Sequence, residues 1–510
     1  MQQRPADTST GWFGHPRGLS TLFFTEMWER FSFYGMRAIL LLFMTAPAAT
    51  GGLGWDAAKA GPIYGLYTAM VYLTALPGGW IADRLIGQRR AVLFGGLLIA
   101  LGHLTLTIHN VGFFYTGLFL IICGTGLLKP NISTMVGALY SEEDKRRDAG
   151  FSIFYMGINL GAFISPLVCG FLAQDERFRS WLQGMGLRPE SSWHWGFGAA
   201  TVGMTIGLIQ YTLGGRRLGA AGLKPAVPLE PAAHALLRRR ILLAAAAAVV
   251  VACLAAVVQA AGLIEISIES ITSLVGYSLV VVPLLYFGYF FMNKQWSGME
   301  KKRLGAIFLL FLFAALFWSA FEQAGSSLNL FAERFTRNEI LGFAFPASWL
   351  QSVNSIFIIL LAPVFAWLWV TMGRREPSSP AKFSIGMFFV GLGFLVVAFA
   401  AMLSGPAGVR VSPWWLITLY LCHTIGELCL SPVGLSTMTK LAPPRVVGQM
   451  MGIWFLALSV GNFIGGQVAG LFETLPLPKL FGAVVAVTMA CTLICVILIK
   501  PIRRLMGGVR

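Results

Sequence analysis

The chain has 510 residues, of which 56% are hydrophobic and only 12% charged, about half the charged fraction of a soluble protein. Repeated apolar runs of about 20 residues, each long enough to cross a hydrocarbon core of about 30 Å, exclude a soluble enzyme and predict a polytopic helical membrane protein. The alternating ten-residue strands of a transmembrane β-barrel are absent.

The first twenty residues, MQQRPADTSTGWFGHPRGLS, carry no apolar core followed by a small-residue cleavage site, so no signal peptide is expected. The spans that follow are predicted at 20–46, 61–83, 90–109, 111–138, 149–173 and 195–214, then 240–262 and 272–293. A last set falls at 302–330, 344–371, 383–403, 411–439, 447–472 and 477–499. Fourteen helices result. The middle pair has no ionisable residue at helix depth, since Glu265 and Glu269 fall in the turn between its helices, and it reads as a lipid-facing accessory hairpin.

Basic clusters explain the net charge of +16. Arg84/Arg89/Arg90, Lys145–Arg147, Arg216–Arg240, Lys294–Arg303, Arg374–Lys382, Lys440–Arg445 and Lys500–Arg510 each follow an even number of spans. Most of the 38 Lys and Arg therefore lie on the side of the termini, which the positive-inside rule places in the cytoplasm. The basicity is a topology signal and not a nucleic-acid footprint.

The expected organisation is a cytoplasmic N-terminus (1–19), a six-helix bundle (20–214), a linker with the accessory pair (215–301), a second six-helix bundle (302–499) and a cytoplasmic tail (500–510). The two bundles echo one another. GTGLLKPNISTM (124–135) parallels GELCLSPVGLSTM (426–438), and GINLGAFISP (157–166) parallels SVGNFIGG (459–466). Paired halves of this kind belong to alternating-access carriers, with the substrate site between them.

The first span holds TEMWERFSFYGMR (25–37), where Glu26, Glu29, Arg30 and Arg37 recur at helical spacing on one stripe. Charges at bilayer depth are costly, so they face a polar cavity and need partners. The other intramembrane charges are Lys129, Glu322 and Glu427, expected to pair across the bundle. A carboxylate facing a cation across a central cleft makes a gate that protonation can open, as when a proton on Glu322 releases Arg37. The structural alternative is a set of static ion pairs. Asn159, Asn354, Tyr34, Tyr72, Trp318 and Trp454 lie beside these charges, while Trp414 and Trp415 read as interface anchors.

The seven cysteines, from Cys123 to Cys495, read as small core residues, and His423, one turn before Glu427, reads as a satisfied helix residue. No HExxH, GxSxG, P-loop or Cys-His cluster is present, so neither an enzyme nor a metal site is expected.

At these residues the chain resembles the proton-dependent oligopeptide transporter family of the major facilitator superfamily. Glu26-Met-Trp-Glu29-Arg30-Phe31 is similar to the family's ExxERF motif. GGWIADRLIGQRR (78–90), with Asp83, Arg84, Gly87 and Arg89 in place, is similar to the superfamily's loop motif. GLLKPNIS, FYMGINLGAFISP, FWSAFEQ and GELCLSPVGLS resemble later signatures in order. The resemblance implies an all-α integral membrane fold and a monomeric inner-membrane symporter of di- and tripeptides, with protons as coupling ion and no cofactor. Glu26, Glu29, Arg30, Lys129 and Glu322 would couple protons. Arg30 and Lys129 would bind a peptide carboxylate, and Glu427, Asn159 and Asn354 its amine. Tyr34, Tyr72, Trp318 and Trp454 would line the peptide, Arg37–Glu322 would form the outer gate, and Lys129 and Glu427 would join the gating pairs. Two departures stand out: Phe33 where many members have Tyr, and Phe321 where many have a second acid. Rival readings are a carrier of nitrate, amino acids or another small ion, and a non-transporting receptor or a channel.

Overall fold

In the computed structural model the described residues are 10–141, 143–226, 230–263, 267–404, 408–443 and 446–508. The chain is helical almost throughout, with two short hairpins at Thr10–Pro16 and Glu339–Ala344. The first helices are α1 (Gly18–Thr45), α2 (Ala57–Leu73), α3 (Ala75–Ile81), α4 (Gln88–Leu106), α5 (Val111–Gly137), α6 (Arg147–Gln174), α7 (Glu176–Gly184) and α8 (Ser192–Leu213). The middle pair is α9 (Pro231–Ala260) and α10 (Ile268–Met292). The remainder are α11 (Gly298–Phe321), α12 (Ser327–Phe335), α13 (Ser352–Met372), α14 (Ser379–Leu403), α15 (Trp414–Leu441), α16 (Val447–Gly470) and α17 (Leu477–Leu505).

Local chemistry sets the ends of these helices. Asp56 accepts from the Lys59 amide at the start of α2, Asn110 accepts from the Gly112 and Phe113 amides at α5, and Ser297 and Glu300 cap α11 reciprocally. Ten of the described helical segments are long and apolar enough to cross a membrane. The first helix falls short of that description because Glu26, Glu29, Arg30 and Arg37 interrupt it.

Two predicted spans are not continuous. The one expected at 61–83 breaks at Thr74, because Pro77 has no amide to give the Leu73 carbonyl, and continues as α3 and a π turn at Ala82–Ile86. The one expected at 302–330 ends at Phe321, turns through Glu322–Gly325 and resumes as α12. The short amphipathic α7 is an element that apolar-run counting passes over. At the C-terminus α17 runs past 499 to Leu505. Of the cysteines, Cys253 on α9 is exposed rather than core, and Cys123 is half-buried. Glu265 and Arg445 lie outside the described residues, and Glu269 falls within the first turn of α10 rather than between the helices.

Helices α1, α4, α5, α6 and α8 pack on one another, as do α11, α14, α15, α16 and α17. The two echoing segments lie on α5 and α15, each with a proline inside the helix, Pro130 and Pro432. Between the two groups α2 lies against α16, and the approach is close enough to require glycine. A Cβ on Gly466 would land on the Gly65 backbone, and one on Gly61 on the Gly470 backbone. Gly466→Ala is therefore expected to destabilise the chain by about 1–3 kcal/mol through overpacking, read as a lowered melting temperature in detergent.

Candidate functional site

The charged stripe of α1 resolves into two groups. Glu26, Glu29 and Arg30 are almost fully buried, and one guanidinium serves both acids. Arg30 Nε lies 3.2 Å from Glu26 Oε1, and Arg30 Nη2 donates to Glu29 Oε1 at 2.7 Å. The Glu29 contact joins adjacent residues, a pairing that helical i+3 and i+4 spacing does not anticipate. The second Glu26 oxygen, Oε2, is buried and receives no hydrogen bond among the described residues. A buried carboxylate oxygen with no donor is a place for a proton.

Two turns along α1, Arg37 forms an ion pair with Glu322 in the turn after α11. Its Nε donates to the Tyr64 hydroxyl at 2.7 Å and its Nη2 to the Glu322 carbonyl at 3.3 Å. Gly325 leaves the room that Tyr64 and Arg37 occupy, since a Cβ there would meet both. The break between α11 and α12 thus builds the socket for Arg37. Tyr64 was legible: it lies eight residues before Tyr72, two helical turns along the same face.

Lys129 departs from the expected pairings. Its ammonium sits 3.8 Å from the centre of the Tyr72 ring, and among the described residues it makes no ion pair with Glu26, Glu29 or Glu427. Its charge is nonetheless within Coulombic reach of Glu26, Glu29 and Arg30. Across the cleft, Glu427 Oε2 accepts from Asn354 Nδ2 at 3.3 Å, and the same amide donates to Thr424 at 3.0 Å. The Lys129–Glu427 gate is not formed, because each partner is held on its own side by neutral groups. Both side chains are half-buried, with a surface left open.

The remaining candidates divide. Tyr34 is half-buried between Arg30 and Arg37, about equidistant from both guanidiniums at 5.9 and 6.0 Å. Asn159 is buried and turns its amide back onto the Tyr155 carbonyl at 3.0 Å, so it does not join Asn354 and Glu427. One turn earlier on α6, Tyr155 is 43% exposed and within electrostatic reach of Glu427 and Tyr34, a cleft residue that the sequence reading quoted but did not single out. Trp318 is buried edge-on against Phe321, and Trp454 is buried over Gly434. Phe33 lies buried under the Arg30 guanidinium at 5.2 Å, and Phe321 stacks on Phe317 and His423. His423 is buried with its ring near the Val390 backbone, and among the described residues neither ring nitrogen makes a hydrogen bond of normal geometry. In the loop motif Gln88 donates to Asp83 at 3.3 Å, Arg84 lies over Trp80, Gly87 takes φ 79°, and the Arg89 amide donates to the Gly222 carbonyl.

Polar contacts between the two groups of helices sit at the middle and at the end away from the termini. Asn329 donates to the Ala38 carbonyl at 2.8 Å, Trp349 to the Leu167 carbonyl at 2.9 Å, Ser352 to the Phe163 carbonyl at 2.7 Å, and Ser459 to the Ala69 carbonyl at 2.7 Å. Together with Arg37–Glu322 they seal that end, while among the described residues none joins α5 to α15. Among the described residues, the side-chain hydrogen bonds and ion pairs that join the two groups are therefore at the middle and far end.

The sequence model of the POT family matches residues 89–481. A peptide transporter of Yersinia enterocolitica is 43% identical over 97% of this chain and 96% of its own length. A di-/tripeptide transporter of Lactococcus lactis subsp. cremoris is 39% identical over 99% of both chains. A crystal structure of a peptide transporter POT in complex with sulfate superposes with a TM-score of 0.88 at 42% identity, covering 99% of this chain and 98% of that one.

Proposed function

Because the chain belongs to the POT family, we propose that it is a proton-coupled symporter importing di- and tripeptides across the inner membrane by alternating access. The observation that carries this is the pair Lys129 and Glu427. They are opposite charges on different helix groups, each half-buried and, among the described residues, neither ion-paired. A zwitterion with its carboxylate on Lys129 and Arg30 and its amine on Glu427 and Asn354 would satisfy both ends at once. A POT family transporter solved with 5-aminolevulinic acid, 36% identical to this chain, holds a ligand with the same two end groups. Every short peptide shares those ends, whereas apolar and aromatic walls formed by Tyr34, Tyr72, Trp318 and Trp454 tolerate variety.

In this reading 20–214 and 302–499 rock about the substrate, with fourteen spans, both termini cytoplasmic and one chain sufficient. Arg37–Glu322 closes the outer end, and the present arrangement is open inward. Glu26 and Glu29 take up the proton, beside Lys129.

Counterflow of labelled dialanine in vesicles containing the purified chain tests the substrate class. Di- and tripeptides should compete, and free amino acids and nitrate should not; competition by nitrate alone would favour the related anion carriers. Glu427→Ala is expected to raise the KM for dipeptides by about tenfold or more, since one charge-assisted hydrogen bond contributes about 1.5–3 kcal/mol. An unchanged KM would remove Glu427 from the amine site.

A further inference from the structure

We propose that the first accessory helix carries a binding site for the headgroup of an anionic phospholipid. Near its start α9 presents Arg238, Arg239 and Arg240 in succession, all exposed and, among the described residues, without an ion pair or hydrogen bond. Arg238 and Arg239 flank a groove of about 390 Å³ that His234 borders on one side and Leu242 and Leu243 on the other. The two leucines are 59% and 58% exposed. Guanidinium forks match phosphate oxygens bidentately, and the apolar floor one turn further along suits an acyl chain. A soluble phosphate would need no such floor, so the ligand is a lipid.

Two other grooves support the assignment by their contrast. On α8, also at the end of the termini, a groove of about 430 Å³ is built the same way, with Arg217 above Ile206, Ile209 and Leu213. The large groove between α6 and α8, about 780 Å³, extends to the opposite end and is bordered by His109, His194 and Ser191, with no arginine. Of these three grooves, arginine heads the two at the end of the termini, the face where anionic headgroups attract basic side chains.

The site adjoins the turn between α3 and α4. His234 Nε2 donates to the Leu85 carbonyl at 3.2 Å, which ties α9 to the π turn at Ala82–Ile86. On the other side, α10 packs on α16, where Tyr286 donates to Gln449 at 2.7 Å. The hairpin therefore touches both helix groups, and a lipid held on α9 bears on the loop between α3 and α4.

The test is binding of phosphatidylglycerol to the full chain in detergent, read by native mass spectrometry and by the melting temperature, against phosphatidylcholine with the same chains and against sn-glycerol 3-phosphate. Phosphatidylglycerol should bind selectively and raise the melting temperature. Arg238→Gln with Arg239→Gln should weaken binding by roughly twenty-fivefold, about fivefold for each arginine. Arg177→Gln, an exposed arginine at the other end, should leave it unchanged. Equal binding of the two lipids, or undiminished binding by the double variant, would overturn the proposal. So would an equal effect of sn-glycerol 3-phosphate, which would mark a soluble-anion site. Should the double variant fail to fold, the selectivity of the parent chain and of the Arg238→Lys, Arg239→Lys variant decides.

Discussion

Glu26→Gln is expected to abolish accumulation of dipeptide driven by a pH gradient while leaving counterflow of labelled peptide measurable. Glutamine keeps the shape of the protonated acid but can neither take nor release a proton. Arg30 retains Glu29 as a partner, so the cation that would meet a peptide carboxylate stays in place. What is lost is Glu26 Oε2, a buried carboxylate oxygen of the Arg30 cluster that receives no hydrogen bond among the described residues. With one proton per peptide, each unit of pH gradient is worth about 1.4 kcal/mol, roughly a tenfold concentration ratio. That ratio should fall to one in the variant. Equal loss of accumulation and counterflow would count against a coupling role.

Lys129→Ala should lower the rate of uptake by about a hundredfold or more. Its removal takes away a cation within Coulombic reach of Glu26 and Glu29 and leaves Arg30 as their counter-charge, and an uncompensated buried charge costs about 3–5 kcal/mol. Lys129→Arg should restore little, because a guanidinium can also stack on the Tyr72 ring but is bulkier and stays charged, whereas a buried ammonium can give up its proton. Initial rates of dialanine uptake, normalised to folded protein, give the measure. Activity within twofold of the parent would take Lys129 out of the site.

Much of this site was legible because lipid makes charge conspicuous. Seven ionisable side chains in apolar runs located the centre, and their placement on α1, α5, α15 and the end of α11 follows from helical spacing alone. Their partners were less legible. Arg30 bends its long side chain back to the adjacent Glu29, a contact set by reach and not by period. The break after Phe321 depends on a tertiary fit, Gly325 against Tyr64 and Arg37, which no local signal in FWSAFEQ encodes. In the proposed cycle, contact between Lys129 and Glu427 would depend on which end is closed. One sequence would serve both arrangements, so it cannot specify the distance between them. The break at Thr74 was readable from Pro77, four residues after Leu73, once hydrogen bonds rather than hydropathy are counted.

The most direct measurement is dialanine uptake into vesicles holding the purified chain, with an inward proton gradient and an inside-negative voltage, then with both collapsed. Internal peptide should rise well above the external concentration in the first case and only equal it in the second. Equal accumulation under both conditions would contradict coupling of the peptide to protons at the Glu26, Glu29 and Arg30 cluster.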